Sequence, residues 1–233
     1  MWSIYLKIEG LLGHFRNPYT TIYKQSYPFP PKPAIVGMIG AMLGWDEERT
    51  LLNVSLFKIA MPEWKHDDKI IEYAYVLAYK DKTPQLRPER FEILVRPYYE
   101  IVLASQNKEI IDEIASRVKK RDFEFPIYMG KNEFLIKNIK LIQGVREEKL
   151  VRIKKPRGII TFTGNRIPPF SLPSKVKMPP PQVFIGVPLE LAKDKESPRR
   201  ILKKVYGALA AKGSIELVKP SEGFRHPCEV TVI

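Results

Sequence analysis

Between Phe15 and Trp45 the chain reads FRNPYTTIYKQSYPFPPKPAIVGMIGAMLGW, and no other stretch constrains the fold as much. Its five prolines fix φ and hold the residues before them extended, while the last of them, Pro33, suits the first turn of a helix. From Pro33 to about Leu43 the residues are apolar, and Gly44 is placed to end a helix there. A stiff extended segment must therefore run straight into a largely buried helix. Gly37, Ala41 and Gly44 share one face of it, which predicts a close backbone approach to a neighbouring element. From Gly10 to Trp45 there is no Asp or Glu, whereas Arg16, Lys24 and Lys32 are cationic and Tyr19, Tyr23, Tyr27 and Phe29 are flat rings. Cations neutralise phosphates and rings stack on unpaired bases, so the stretch is equipped for an anionic, base-bearing ligand.

The charge balance agrees. The 233 residues hold 39 Lys and Arg against 26 Asp and Glu, a net charge of +13, which favours a polyanionic partner over an ordinary basic enzyme. With 44% apolar and 11% aromatic residues the chain can build a true core. Cys228 is the only cysteine, which excludes an intrachain disulfide and a thiolate zinc site. His14, His66 and His226 are scattered without metal-ligand spacing, and no P-loop, dinucleotide fingerprint or G-x-S-x-G is present. Neither a metal nor a small-molecule cofactor is expected. The opening MWSIYLKIEG alternates like a strand rather than a secretory leader, and the run from Pro33 to Trp45 is too short to span a bilayer. A cytoplasmic protein with no membrane partner is expected, and its Lys, Glu and Pro usage suggests a thermophilic source.

Periodicity orders the first part of the chain. Trp2 to Glu9 alternates as a half-buried strand, and Asn53 to Pro62 and Ile70 to Lys80 are strand-like around a polar Glu63–Lys69 turn. Tyr98 to Ala104 is β-rich. Asn107 caps an amphipathic helix whose core side is Ile110, Ile111, Ile114 and Val118, and Phe134 to Ile142 gives a further strand. The expected class is α+β, ferredoxin-like (RRM-like), in the order β-α-β-β-α-β over residues 1–145. Asp81 to Pro97, with three arginines and three prolines, reads as a projecting β-hairpin insertion. Residues 146–233 read as a small, basic, β-rich C-terminal domain, with a short helix expected at Ser197–Ala211.

An early Gly13 and Phe15, the loop Ser26-Tyr27-Pro28-x-Pro30-Pro31 and the Gly37-x-x-Gly40-x-x-x-Gly44 helix together resemble the N-terminal signature of the fifth CRISPR-associated (Cas) protein family, within the RAMP superfamily. Pro126 to Phe134, PIYMGKNEF, is similar to that family's central glycine-containing loop, so the resemblance covers about two thirds of the chain. It implies a non-catalytic subunit of a type I Cascade surveillance complex in antiviral defence. Such a subunit would hold the 5′ handle of the CRISPR guide RNA and cap the backbone filament. Its partners would be guide RNA, the backbone subunit and the large subunit, with the hairpin as a thumb-like insertion toward a neighbour.

The candidate RNA contacts divide by chemistry. Arg16, Lys24 and Lys32 can neutralise phosphates, Tyr19 and Tyr27 can stack, and Asn17, Gln25 and Ser26 can read base edges or sugars. Gly130, Lys131 and Asn132 offer backbone N–H groups beside a cation, and Arg157, Thr163, Asn165 and Arg166 extend the surface. The alternatives are a metal-independent endoribonuclease built on His14, Lys24 and Tyr27, and a generic RNA-binding protein. One branch of the resembled family cleaves RNA with a Tyr, Lys and His set. Here the only Lys-His neighbours, Lys65-His66, lie in the polar turn instead of the Gly130 loop.

Overall fold

The alternating residues of the N-terminus form a strand, Trp2–Gly10 (β1), that lies inside a four-stranded antiparallel sheet. This is a computed structural model; it describes residues 1–80, 83–153, 155–162, 170–171, 182–185, 187–192, 200–204, 207–214, 216–217, 221–224 and 230–231. After β1 come the helices Lys32–Leu43 (α1) and Glu47–Leu52 (α2), then the strand Phe57–Lys65 (β2). Next are a pair of long strands, Asp68–Lys80 (β3) and Thr83–Val95 (β4), the strand Tyr98–Ser105 (β5), the helix Lys108–Lys120 (α3) and the strand Ile136–Glu147 (β6). The sheet order is β6-β1-β5-β2. β1 and β5 pair without interruption from Trp2↔Ser105 to Glu9↔Tyr98, so register is fixed along the sheet's centre.

Both faces of this sheet are covered. Ile4, Leu6 and Ile8 of β1 join the main core with Ile35, Ile39 and Met42 of α1 and Ile111, Ile114 and Val118 of α3. On the reverse face Tyr5, Ala60, Val102 and Ala104 pack around the buried ring of Phe224. α3 forms where its periodicity places it. The Asn107 side chain accepts from the Ile110 N–H at 3.3 Å, and Arg121 ends the helix in a left-handed conformation with φ 55°.

Three expectations change. Ile70–Lys80 is no core strand: it belongs to β3, which pairs with β4 from Asp68↔Val95 to Lys80↔Thr83, and β5 takes the place in the sheet. The hairpin thus spans both strands and is longer than the segment from Asp81 to Pro97. Its β-branched and aromatic residues specify an extended backbone but not a partner, and Tyr73 and Tyr75 are left 73% and 76% exposed. Secondly, Arg200–Lys204 and Gly207–Ser214 are strands where a helix was expected. The alanine-rich Gly207–Ser214 lies between the strands Arg157–Phe162 and Gln182–Ile185, and ladder pairing on both sides overrides its helical propensity. Of the described strands after residue 146, Arg157–Phe162 and Val230–Thr231 pack on β2 of the first sheet. Gly158, at φ +83°, crosses so close to the Met61 carbonyl that any side chain would overlap it.

The third change concerns the glycines of α1. Gly44 ends the helix at φ 72°, as expected, and its N–H donates to the Gly40 carbonyl. A close approach is made on the expected face at Gly44, where an added Cβ would press on the Glu124 side chain, but a further one falls outside that face, at Gly40, where it would collide with Oγ1 of Thr50 on α2. Thr50 cannot turn aside cheaply, because its hydroxyl donates to the Asp46 carbonyl at 2.7 Å. At Gly37 an added Cβ would meet none of the described residues within 4 Å. Gly40→Ala should therefore destabilise the fold by about 1–3 kcal/mol through overpacking. Gly37→Ala should stabilise it, by up to about 1 kcal/mol, through helix propensity. Denaturant melts of the two variants check this; equal losses would contradict the packing described.

Candidate nucleic-acid interface

The loop after β1 is closed by its own short strands. Phe15–Arg16 pairs with Ser26–Tyr27 in the register Phe15↔Tyr27 and Arg16↔Ser26. The Ser26 hydroxyl accepts from the Phe15 N–H at 2.9 Å and donates to the Tyr27 carbonyl at 2.8 Å. Next to it, Tyr23–Lys24 runs parallel to Arg90 and Phe91 of β4, so the base of the hairpin forms one wall. The rings of Tyr27 and Phe29 stack at 5.9 Å and are both buried, with Phe184 edge-on to each at 5.9 and 5.5 Å. Burial pushes the phenols of Tyr27 and Tyr99 well above their usual range.

This register sorts the expected contacts. Asn17, Tyr19, Gln25 and Ser26 line one cleft of about 530 Å³ together with Lys69, Glu92 and Phe184. Arg16 stands next to it, exposed, and among the described residues no carboxylate pairs with it. The Tyr19 ring is 53% exposed. The loop is ordered by its own bonds: Asn17 Oδ1 accepts from the Tyr19 N–H at 3.1 Å, and the Gln25 N–H donates to Thr20 Oγ1 at 3.0 Å. Such a cleft offers a cation, an exposed ring and amide groups in fixed positions, the set that holds an unpaired base.

Other expected contacts are turned inward or paired. Tyr27, Lys24 and Lys32 are buried, as is Ser26, whose hydroxyl is used within the loop although it borders the cleft, and Lys24 reaches Glu89 of β4 at 3.5 Å. Tyr27 therefore serves packing and is no open stacking surface. Lys131 lies between Glu133 at 2.6 Å and Glu72 at 3.6 Å, over the Phe91 ring, and its ammonium holds Glu133 below the usual carboxylate range. Gly130 and Asn132 are exposed, and Gly130, at φ +87°, abuts the His14 carbonyl. Arg157 pairs with Glu63, away from the cleft, and Thr163, Asn165 and Arg166 lie outside the described residues. Sequence reasoning missed Lys69, Glu92 and Phe184. Lys69, read in sequence as the end of a polar turn, lies at the start of β3 because the turn narrows to residues 66–67, and nothing local marks Phe184, which arrives by tertiary packing.

His14, Lys24 and Tyr27 do not meet at a solvent-facing point, since all three are buried. Nδ1 of His14 donates to the Glu92 carbonyl at 2.7 Å, its Nε2 is buried without a partner among the described residues, and its ring stands edge-on to Phe91. Burial lowers its pKa, and the charges of Lys131 and Arg16 add to this, against the raising effect of the Glu92 bond. Among the described residues no three His, Cys, Asp or Glu side chains are grouped to hold a metal ion. No described helix is long and apolar enough to cross a membrane.

The fold is α+β and dominated by sheet, and comparison with known proteins gives its family. Residues 3–158 match the CRISPR-associated protein (Cas_Cas5) family, and the chain belongs to it. No curated protein matches the chain at a significant level. Among solved structures, a chain of a "CRISPR RNA-guided surveillance complex" is similar over 96% of this chain and 91% of its own, at 13% identity and TM-score 0.51. A CRISPR protein from Archaeoglobus fulgidus aligns over 100% and 99% of the two chains, at 12% identity and TM-score 0.48. A further Cas protein aligns over 93% and 95%, at 14% identity and TM-score 0.46.

The neutral His14 has a consequence for stability. Its pKa in the folded chain lies below the ordinary 6.5, so the unfolded chain takes up a proton first as pH falls through that value. Stability from this group is complete above pH 6.5 and is lost as pH falls toward the folded-state pKa. Thermal melts from about pH 7.5 to 5 should show a declining Tm, and His14→Gln should flatten the decline. A difference between the two proteins that does not vary with pH would contradict this.

Proposed function

We propose that this chain is a non-catalytic RNA-binding subunit of a type I CRISPR surveillance complex, Cascade, in antiviral defence. In this reading it holds the 5′ handle of the guide RNA and caps one end of the backbone filament. The observation that carries it is the cleft in which Asn17, Tyr19, Gln25 and the Lys69–Glu92 ion pair converge beside Arg16, which is exposed and has no carboxylate partner among the described residues. Family membership and the likeness to a chain of an RNA-guided surveillance complex support it. We read the strand order β6-β1-β5-β2, with its two covering helices, as a ferredoxin-like RAMP domain, and residues 146–233 as its β-rich C-terminal companion. Buried His14, Lys24 and Tyr27 make a poor endonuclease set, so binding without cleavage is the better reading of the loop.

The hairpin fits the role of a subunit contact. Ile71, Tyr73, Tyr75 and Leu77 fall on one face of β3, opposite Glu92, Arg90, Pro88 and Leu86 of β4, and the apolar ones are largely exposed. An aromatic strip on a projecting arm suits a protein partner, and we assign it to the backbone subunit.

CRISPR repeat RNA titrated against the purified chain should bind at least about tenfold more weakly at 200 than at 50 mM salt. Arg16→Ala should shallow that salt slope by about one unit, while Tyr19→Ala should cost about 1–3 kcal/mol with the slope kept. Lys24→Ala should leave the slope unchanged, because Glu89 already neutralises it. The RNA should remain intact throughout. A flat salt response, or site-specific cutting, would defeat this reading.

Replacing Tyr73 and Tyr75 together by Ser should leave Tm and RNA affinity unchanged but abolish co-purification with the backbone subunit. Retained co-purification would remove the hairpin from that interface.

A further inference from the structure

The two arms of the hairpin treat their outer edges differently. β4 is covered at its base by Leu12–Gly13 and Tyr23–Lys24, and beyond them Pro84 and Pro88 interrupt its edge. Among the described residues β3 pairs with β4 alone, in unbroken register from Asp68↔Val95 to Lys80↔Thr83. The other edge of its 13 residues is a row of unpaired backbone groups, with no proline or bulge to blunt it and no charged residue between Glu72 and Lys80.

The prolines also reveal which groups face outward. Pro88 stands opposite Tyr75 and Pro84 opposite Tyr79, and a proline has no N–H to donate across the ladder. These are therefore the non-hydrogen-bonded pairs, whose residues turn their backbone groups away from the facing strand. By alternation Ile71, Tyr73, Tyr75 and Leu77 direct N–H and C=O groups to the open edge, while those of Ala74 point to β4.

Such an edge accepts another strand, and the sequence DKIIEYAYVLAYK indicates which one. Its residue classes read nearly alike in either direction about Ala74. Laid antiparallel on a second copy of itself with Ala74 at the twofold axis, β3 sets Tyr73 opposite Tyr75, Ile71 opposite Leu77 and acidic Asp68 opposite basic Lys80. The mismatched positions are Glu72 opposite Val76 and Lys69 opposite Tyr79. Both charges are already met within the chain, by Lys131 at 3.6 Å and Glu92 at 2.7 Å. The bonding pattern fits the same register. Tyr73 and Tyr75 become a hydrogen-bonded pair, and Ala74 meets its copy in the non-bonded pair, where strands come closest and a small side chain is suited.

We propose that the free chain forms a twofold dimer through edge-to-edge pairing of β3 with β3 of a second copy, joining two hairpins into one four-stranded antiparallel ribbon. The ribbon brings the exposed Tyr73 and Tyr75 of both copies together on one face, so it occupies the arm that the subunit contact above would use. Dimer and assembled subunit are then alternative states of that arm, and the dimer keeps an association-prone edge paired until assembly. An extended segment of another protein is the competing occupant. It would have no use for a strand that mirrors itself.

Sedimentation of the full-length chain over a concentration series should move the mass from 27.0 kDa toward twice that value. Leu77→Pro removes an outward N–H and spares the ladder to β4, so it should weaken the dimer at least about tenfold with Tm unchanged. Two further measurements read the register itself. With Cys228 replaced by Ser, Ala74→Cys should give a disulfide-linked dimer under mild oxidation, since the axis places its two Cα atoms about 4.5 Å apart. Val76→Cys should not, because its copies lie about 13 Å apart along the strands. Ile71→Glu and Leu77→Lys should each weaken the dimer and together restore it, since those sites are about 20 Å apart within one chain and meet only between copies. A mass that stays at 27.0 kDa overturns the proposal, as does a dimer that survives Leu77→Pro and crosslinks equally at both cysteine positions. A monomeric chain whose co-purification with another subunit is lost in Leu77→Pro assigns the edge to that subunit and likewise overturns the dimer. A monomer that binds repeat RNA leaves the RNA reading standing, whereas a dimer crosslinked at Ala74→Cys that binds no RNA does the reverse.

Discussion

The hydroxyl of Tyr99 donates to the Pro28 carbonyl at 3.0 Å, in a place from which water is excluded. Tyr99 belongs to the centre of the sheet and Pro28 to the proline segment that leads into α1, so one buried bond joins the two. A carbonyl buried there without a donor would carry a desolvation penalty of about 1–3 kcal/mol. Tyr27 and Phe29, on either side of Pro28, bury their rings against Phe184 and complete the anchor. With these two rings held inward, the antiparallel pairing of Phe15–Arg16 with Ser26–Tyr27 leaves residues 17–25 as a closed loop on the outside. The exposure of Arg16, Tyr19 and Gln25 is thus the complement of the burial of Tyr27 and Phe29.

The same anchoring ties the loop to the hairpin. Tyr23–Lys24 and Leu12–Gly13 both pair with β4, and two carboxylates of β4, Glu89 and Glu92, hold Lys24 and Lys69. A projecting arm and the cleft proposed to hold RNA therefore share one strand. Any partner that bends the hairpin at its base acts on the wall of the cleft, a coupling that needs no long pathway through the core.

Much of this was legible in the sequence, where local signals and tertiary demands agree. β1, α1 with its Gly44 terminus, the Asn107-capped α3 and β5 all form close to where alternation and capping place them. Failures occur where one residue pattern has two tertiary outcomes. Ile70 to Lys80 carries full strand propensity, which cannot tell a core strand from a hairpin arm. The rings of Tyr19 and Tyr27 look alike in sequence, yet the register Phe15↔Tyr27 turns one inward and leaves the other outside. Lys24 could be recognised as a cation but not as the partner of Glu89, a residue of the distant β4. The shared face of Gly37, Ala41 and Gly44 likewise does not tell which glycine meets a neighbour until α2 is placed. Thr50 then fills the space at Gly40, off that face, and none of the described residues fills it at Gly37.

Photo-crosslinking of repeat RNA to the intact chain, with the adducts located by mass spectrometry, tests the central claim most directly. The account predicts nucleotide adducts on the peptide from Arg16 to Gln25, with Tyr19 modified and buried Tyr27 unmodified. Adducts confined to other parts of the chain, with none between Arg16 and Gln25, would contradict it.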